Sequence, residues 1–136
     1  MREKVLEAFK ALGFVLDQLD DFGYAFQYEG KNYVLLCNDD DENFLNITMP
    51  GVIGMDDCKD SFYQIMDMFN NALKYVKAYR IDNDMWLVYE RAIIGEEDLQ
   101  AVISHMILYL EVGFNKLYHM KDDTEEPSNT DEKTEE

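Results

Sequence analysis

Residues 23–49, GYAFQYEGKNYVLLCNDDDENFLNITM, read as two strands joined by a tight turn, followed by an acidic loop and a third strand. In the first strand Tyr24, Phe26 and Tyr28 point one way, and Ala25, Gln27 and Glu29 the other. An aromatic face of this kind must lie against something apolar, and the rest of the chain supplies mainly helices to meet it. Gly30-Lys31 suits a two-residue turn with glycine at its first central position. That register pairs Tyr28 with Tyr33, Phe26 with Leu35 and Tyr24 with Cys37, and puts all six on one face. The opposite face then holds Ala25, Gln27, Val34 and Leu36. Val34 and Leu36 are too apolar for open water, so a second subunit or a bound segment is expected to cover them.

Before this segment, Arg2–Leu12 fits an amphipathic helix with Val5, Ala8, Phe9 and Leu12 on one side, stopped at Gly13. Phe14–Leu19 alternates loosely, as an edge strand would. After the acidic loop, Phe44–Met49 forms a strand with Leu45, Ile47 and Met49 inward, and Pro50-Gly51 ends it. Asp56 or Asp57 caps a second helix running to about Tyr75, with Phe62, Ile65, Met66, Phe69 and Leu73 at helical spacing. A hairpin follows: Lys77–Ile81, a turn at Asp82-Asn83-Asp84, and Met85–Ala92. The last helix runs from about Glu96 to Lys121, with acidic residues at its start where the helix dipole favours them. Its core stripe is Leu99, Val102, Ile103, Met106, Leu110 and Leu117. Ala101, His105, Leu108 and Val112 fall nearly opposite. A helix apolar on two sides needs two surfaces to pack against, its own sheet and a second subunit or partner segment.

The fold class is therefore α+β, an antiparallel sheet of about five strands with helices packed on it, in the order α-β-β-β-(β)-α-β-β-α. One domain spans residues 1–121, and residues 122–136 form a disordered acidic tail with eight acids and one lysine. The chain has 29 acidic against 12 basic residues and a net charge of −17. That charge excludes nucleic acid and an anionic membrane as partners, since both require clustered Lys and Arg. No segment reaches the roughly 20 apolar residues of a membrane span, and Cys37 and Cys58 make no disulfide framework. A reducing, cytoplasmic setting is expected.

Candidate chemistry is sparse. Asp39-Asp40-Asp41-Glu42 has the carboxylates for a divalent cation but not the ligand spacing, central glycine or distal glutamate of an EF-hand loop. His105 and His119 lie fourteen residues apart on one helix. At about 1.5 Å per residue that separation of about 21 Å is too long to share a metal. Cys37 reads as a packed thiol. Trp86, with Tyr79 and Tyr89, reads as sheet packing before it reads as a ligand groove. No phosphate loop, dinucleotide turn, CxxC pair or GxSxG is present, and neither a catalytic residue nor a cofactor is assigned.

The opening helix ending ALGF (11–14), the hairpin GYAFQYEGKNYVLL (23–36), the strand FLNITMP (44–50) and the long apolar C-terminal helix carry a resemblance. Over about residues 1–121 the chain resembles the type III secretion chaperone-like fold, which includes the class I secretion chaperones and the YbjN family. The resemblance implies a homodimeric, non-enzymatic protein. Secretion chaperones of this fold hold an extended, partly unfolded segment against their exposed sheet and helices, and YbjN-like members have regulatory roles. The expected function is a non-enzymatic, dimeric protein-binding module, chaperone-like or regulatory, with Val34, Leu36, Ala101, His105, Leu108 and Val112 at its dimer or partner interface. The alternative is a domain responsive to a small molecule or divalent metal, an enzyme included, built on the Asp39–Glu42 loop or the Trp86 region.

Overall fold

The computed structural model describes residues 1–125. Helix α1 (Arg2–Ala11) leads through the edge strand β1 (Asp17–Leu19) into the hairpin β2 (Gly23–Tyr28) and β3 (Lys31–Leu36), then into the long strand β4 (Phe44–Gly54). A short helix α2 (Met55–Cys58), a 3-10 turn (Lys59–Ser61) and α3 (Phe62–Ala72) follow. The hairpin β5 (Val76–Ile81) and β6 (Asp84–Ala92) precedes the last helix, α4 (Leu99–Glu125). The fold is α+β, with one six-stranded antiparallel sheet of order β1-β2-β3-β4-β6-β5. The loosely alternating segment after α1 forms an edge strand only at Asp17–Leu19, and residues 14–16 of the expected strand are irregular.

The aromatic face of the first hairpin is the core side, as its alternation requires. Phe26, Tyr33, Leu35, Ile47, Met49, Leu87 and Tyr89 from the sheet pack with Phe9 of α1, Ile65 and Phe69 of α3, and Ile103, Met106, Leu110 and Leu117 of α4. Phe9 meets Phe14 and Phe26 edge-on, at centroid separations of 5.8 and 5.1 Å. Phe26 stacks on Tyr33 at 5.2 Å.

The register of this hairpin differs from the expected one. The strands pair Tyr28 with Lys31, Phe26 with Tyr33 and Tyr24 with Leu35. The turn is Glu29-Gly30, both left-handed at φ 52° and 74°, which is the geometry that matches strand twist in a two-residue loop. The slip amounts to two residues, so every side chain keeps its face.

Three elements also differ in their bounds. Strand β4 runs through Pro50-Gly51 to Gly54, with a bulge between Met49 and Ile53. Beyond Thr48 it pairs only with β6, so proline's missing N–H falls where no strand needs it. The single second helix is instead α2, a 3-10 turn and α3. Asp57 Oδ2 accepts the Gly54 N–H at 3.1 Å to anchor α2. Leu73 turns extended, and the Lys77 ammonium donates to the Asn70 and Leu73 carbonyls at 2.8 and 3.0 Å, closing the end of α3. Helix α4 begins at Leu99 because Asp98 is its cap, accepting the Ala101 N–H at 3.2 Å. At its other end α4 includes residues 122–125, and the remainder of the acidic tail lies outside the described residues.

Edge strand β5 is blunted. The Asn70 side-chain amide donates to the Ala78 carbonyl at 3.1 Å, and its Oδ1 accepts the Ala78 N–H at 2.7 Å. A side chain thus occupies the place a further strand would take.

Candidate functional site

With the helices on one side, the sheet presents a second face. The pairing sets Asp17, Ala25, Val34, Thr48, Val88 and Lys77 in one row across all six strands. Gly23, Leu36, Asn46 and Glu90 form the next row, and Tyr79 pairs with Trp86 on the far hairpin. Thr48 is fully buried, its hydroxyl donating to the Leu87 carbonyl at 2.8 Å. Val88 is buried too but belongs to no part of the helix-side core. Val34 and Leu36 are half-buried in the single chain. A groove of about 640 Å³ runs past Ala25, Gln27, Val34 and Pro50, with Val15 and Asp17 at its rim. In the second row, Asn46 Nδ2 donates to Glu90 at 2.9 Å, while its Oδ1 is buried with no partner among the described residues.

The outer side of α4 carries the other four expected interface residues. Ala101, His105, Leu108 and Val112 are all exposed, Leu108 at 49% and Val112 at 50%. The structure thus keeps Val34 and Leu36 on the sheet and these four on the helix, as two separate surfaces. His105 also joins a cluster that local patterns could not reveal. Its Nδ1 lies 3.0 Å from the Tyr89 hydroxyl. Tyr75 stacks on Tyr89 at 5.5 Å and meets His105 and Tyr109 edge-on at 5.2 and 5.1 Å. Tyr75 sits at φ 69°, a costly conformation for a bulky residue, held by this stacking. Tyr89 therefore faces the helices, away from Trp86 and Tyr79.

The acidic loop is tied to the first helix. Asp39 pairs with Arg2, and Glu42 accepts the Arg2 N–H at 3.3 Å and faces the N-terminal ammonium at 3.5 Å. The Arg2 N–H bond, then the ammonium, hold the Glu42 carboxyl below its usual range. A carboxylate here also complements the start of α1. Among the described residues no cluster of three or more His, Cys, Asp or Glu has the arrangement to hold a metal. Cys37 lies just past β3, half-buried, and burial pushes its thiol upward in pKa, away from nucleophilic use. Cys58 is buried. Among the described residues no helix is long and apolar enough to cross a membrane.

Tyr33 is fully buried, yet its hydroxyl has no hydrogen-bond partner among the described residues. Burial drives its pKa far above the tyrosine range. An unmet buried hydroxyl costs about 1–3 kcal/mol. Tyr33→Phe keeps the stack on Phe26 and is expected to raise stability by about 1 kcal/mol, or a few degrees in melting temperature. A loss of stability in calorimetry would mean that an internal water satisfies the hydroxyl.

No protein-family model matches the sequence, and no curated protein does. Two solved structures are similar over nearly their whole length. An uncharacterized protein from Methanothermobacter thermautotrophicus superposes with a TM-score of 0.63 at 12% identity, covering 90% of this chain and 96% of that one. YbjN from E. coli, described as "a putative transcription regulator", superposes with a TM-score of 0.53 at 10% identity, covering 96% of this chain and 93% of that one. At such identities the likeness is one of fold alone, and on that ground the chain has the YbjN-like fold.

Proposed function

We propose that this chain is a non-enzymatic, homodimeric protein-binding module that holds a polypeptide segment on the uncovered face of its sheet, in a chaperone-like or regulatory role. The observation that carries this reading is the composition of that face. The row through Val34, which is half-buried, lies beside Asn46 Oδ1, a buried acceptor with no partner among the described residues. Apolar side chains of a segment would cover the row, and a donor on the segment would satisfy the acceptor. A net charge of −17 favours segments carrying Lys or Arg.

The single tryptophan, Trp86, is half-buried on this same face and reports directly on occupancy. Titration with a permanently unfolded polypeptide, reduced and carboxymethylated α-lactalbumin, should shift Trp86 emission saturably with a Kd on the order of micromolar. A basic unfolded peptide should bind more tightly than this acidic probe. Val34→Glu should weaken either probe by about tenfold or more. Unchanged emission with both probes at 100-fold excess over the protein would rule out binding at this face.

A further inference from the structure

The exposed residues of α4 do more than present an apolar surface. Ala101, His105, Leu108, Val112, Asn115 and His119 are all exposed and recur at intervals of four, three, four, three and four residues. That alternation of three and four is the spacing of a two-helix coiled-coil seam. Ile103, Leu110 and Leu117, each fully buried, occupy the opposite side of the same repeat and fasten the helix to its own sheet. Among the described residues the seam stays exposed, with His105 also meeting Tyr75, Tyr89 and Tyr109 at its edge.

We infer that the seam pairs with the α4 of a second copy, antiparallel, about a two-fold axis passing beside Leu110. The inference rests on the homodimeric part of the proposed function and assigns it a surface and a register. In that register Leu108 meets the partner's Val112, His105 meets the partner's Asn115, and Ala101 meets the partner's His119. Each contact recurs once by symmetry, giving six layers that join apolar to apolar, polar to polar and small to large. In the tautomer whose Nδ1 accepts from the Tyr89 hydroxyl, the ring proton sits on Nε2, a donor for the amide oxygen of the partner's Asn115.

Charge selects a second copy as occupant. Between residues 101 and 119 the only charged side chains are Glu111 and Lys116, so the strip is neutral in a chain of net charge −17. Glu111 is also tied to Lys31 of its own chain at 3.4 Å. Elsewhere two copies repel, and along this strip they do not. The strip is about 27 Å long at about 1.5 Å per residue, enough for a helix pair burying on the order of 1,000 Å² in total. An apolar notch of about 180 Å³ beside Leu108, walled by Leu12, Phe14 and Tyr28, extends the contact. That area lies at the small end of specific interfaces, so the dimer should dissociate in the micromolar range.

Sedimentation equilibrium on the full chain tests this, with circular dichroism confirming that each variant is folded. The wild type should be dimeric at tens of micromolar. Leu108→Glu and Val112→Lys, each at a half-exposed position, should separately raise the dissociation constant by tenfold or more. Combining them sets opposite charges against each other twice across the axis and should restore the dimer to within about threefold of the wild type. A wild type that stays monomeric at 100-fold above the expected range overturns the homodimeric reading itself. A wild-type dimer that neither single substitution weakens leaves that reading standing and removes α4 from the interface. A double variant as monomeric as the singles overturns the antiparallel register.

Discussion

Phe9→Ala is expected to destabilise the protein by about 3–5 kcal/mol, the range for deleting a buried aromatic ring. Phe9 is fully buried and sits between Phe14 and Phe26, so its ring joins α1 to the β2–β3 hairpin. Val5 and Ala8 of α1 are also buried but are small beside the ring, and the ion pairs of the helix are partly exposed: Arg2 with Asp39, and the N-terminal ammonium with Glu42. Exposed pairs contribute little, typically below about 1 kcal/mol, and cannot hold the helix in place of the ring. Denaturant unfolding should show a lower midpoint, and hydrogen exchange should show α1 and β1 opening before β4 and β6. A loss under about 1 kcal/mol would mean that the neighbouring rings collapse into the space and that Phe9 is not the anchor.

Gly23→Ala is expected to cost about 2–4 kcal/mol although it adds one methyl group. Gly23 pairs with Leu19 on one side and Leu36 on the other, at the point where β1 joins the sheet. A Cβ there would stand 2.3 Å from the Leu35 carbonyl oxygen and 3.3 Å from Leu36 Cα. Both obstacles are backbone, so no rotamer change relieves the clash and the strands themselves must part. The groove beside Ala25 and Val34 would lose its shape, and binding of an unfolded polypeptide should weaken along with stability. A midpoint shift equivalent to less than about 0.5 kcal/mol would show that β2 accommodates the methyl group by a small twist.

Periodic features of this fold were readable residue by residue. Alternation in Tyr24, Phe26 and Tyr28 correctly placed the core side of the sheet, and left Val34 and Leu36 on the other. The same holds for α4, where Ala101, His105, Leu108 and Val112 all emerge on the exposed side. Such readings succeed because side-chain direction follows from local backbone geometry, with a period of two in a strand and about 3.6 in a helix. Both candidate surfaces were therefore in view before any tertiary contact was known.

Features that depend on a partner far along the chain were not readable. Pro50-Gly51 is a strand terminator by local rules, yet β4 continues, because a bulge carries it past them and pairing with β6 resumes at Ile53. The Glu29-Gly30 turn required a left-handed glutamate, which residue preference disfavours and the twist of the paired strands imposes. The cluster of Tyr75, Tyr89, His105 and Tyr109 unites a loop, a strand and a helix, with no local pattern to announce it. By itself the sequence determined which faces are apolar and the α+β class they require, since these depend on local periodicity. Tertiary structure alone decided the register, the bulge at Pro50 and the separation of the two exposed surfaces, because each depends on backbone hydrogen bonds and contacts between residues distant in the chain.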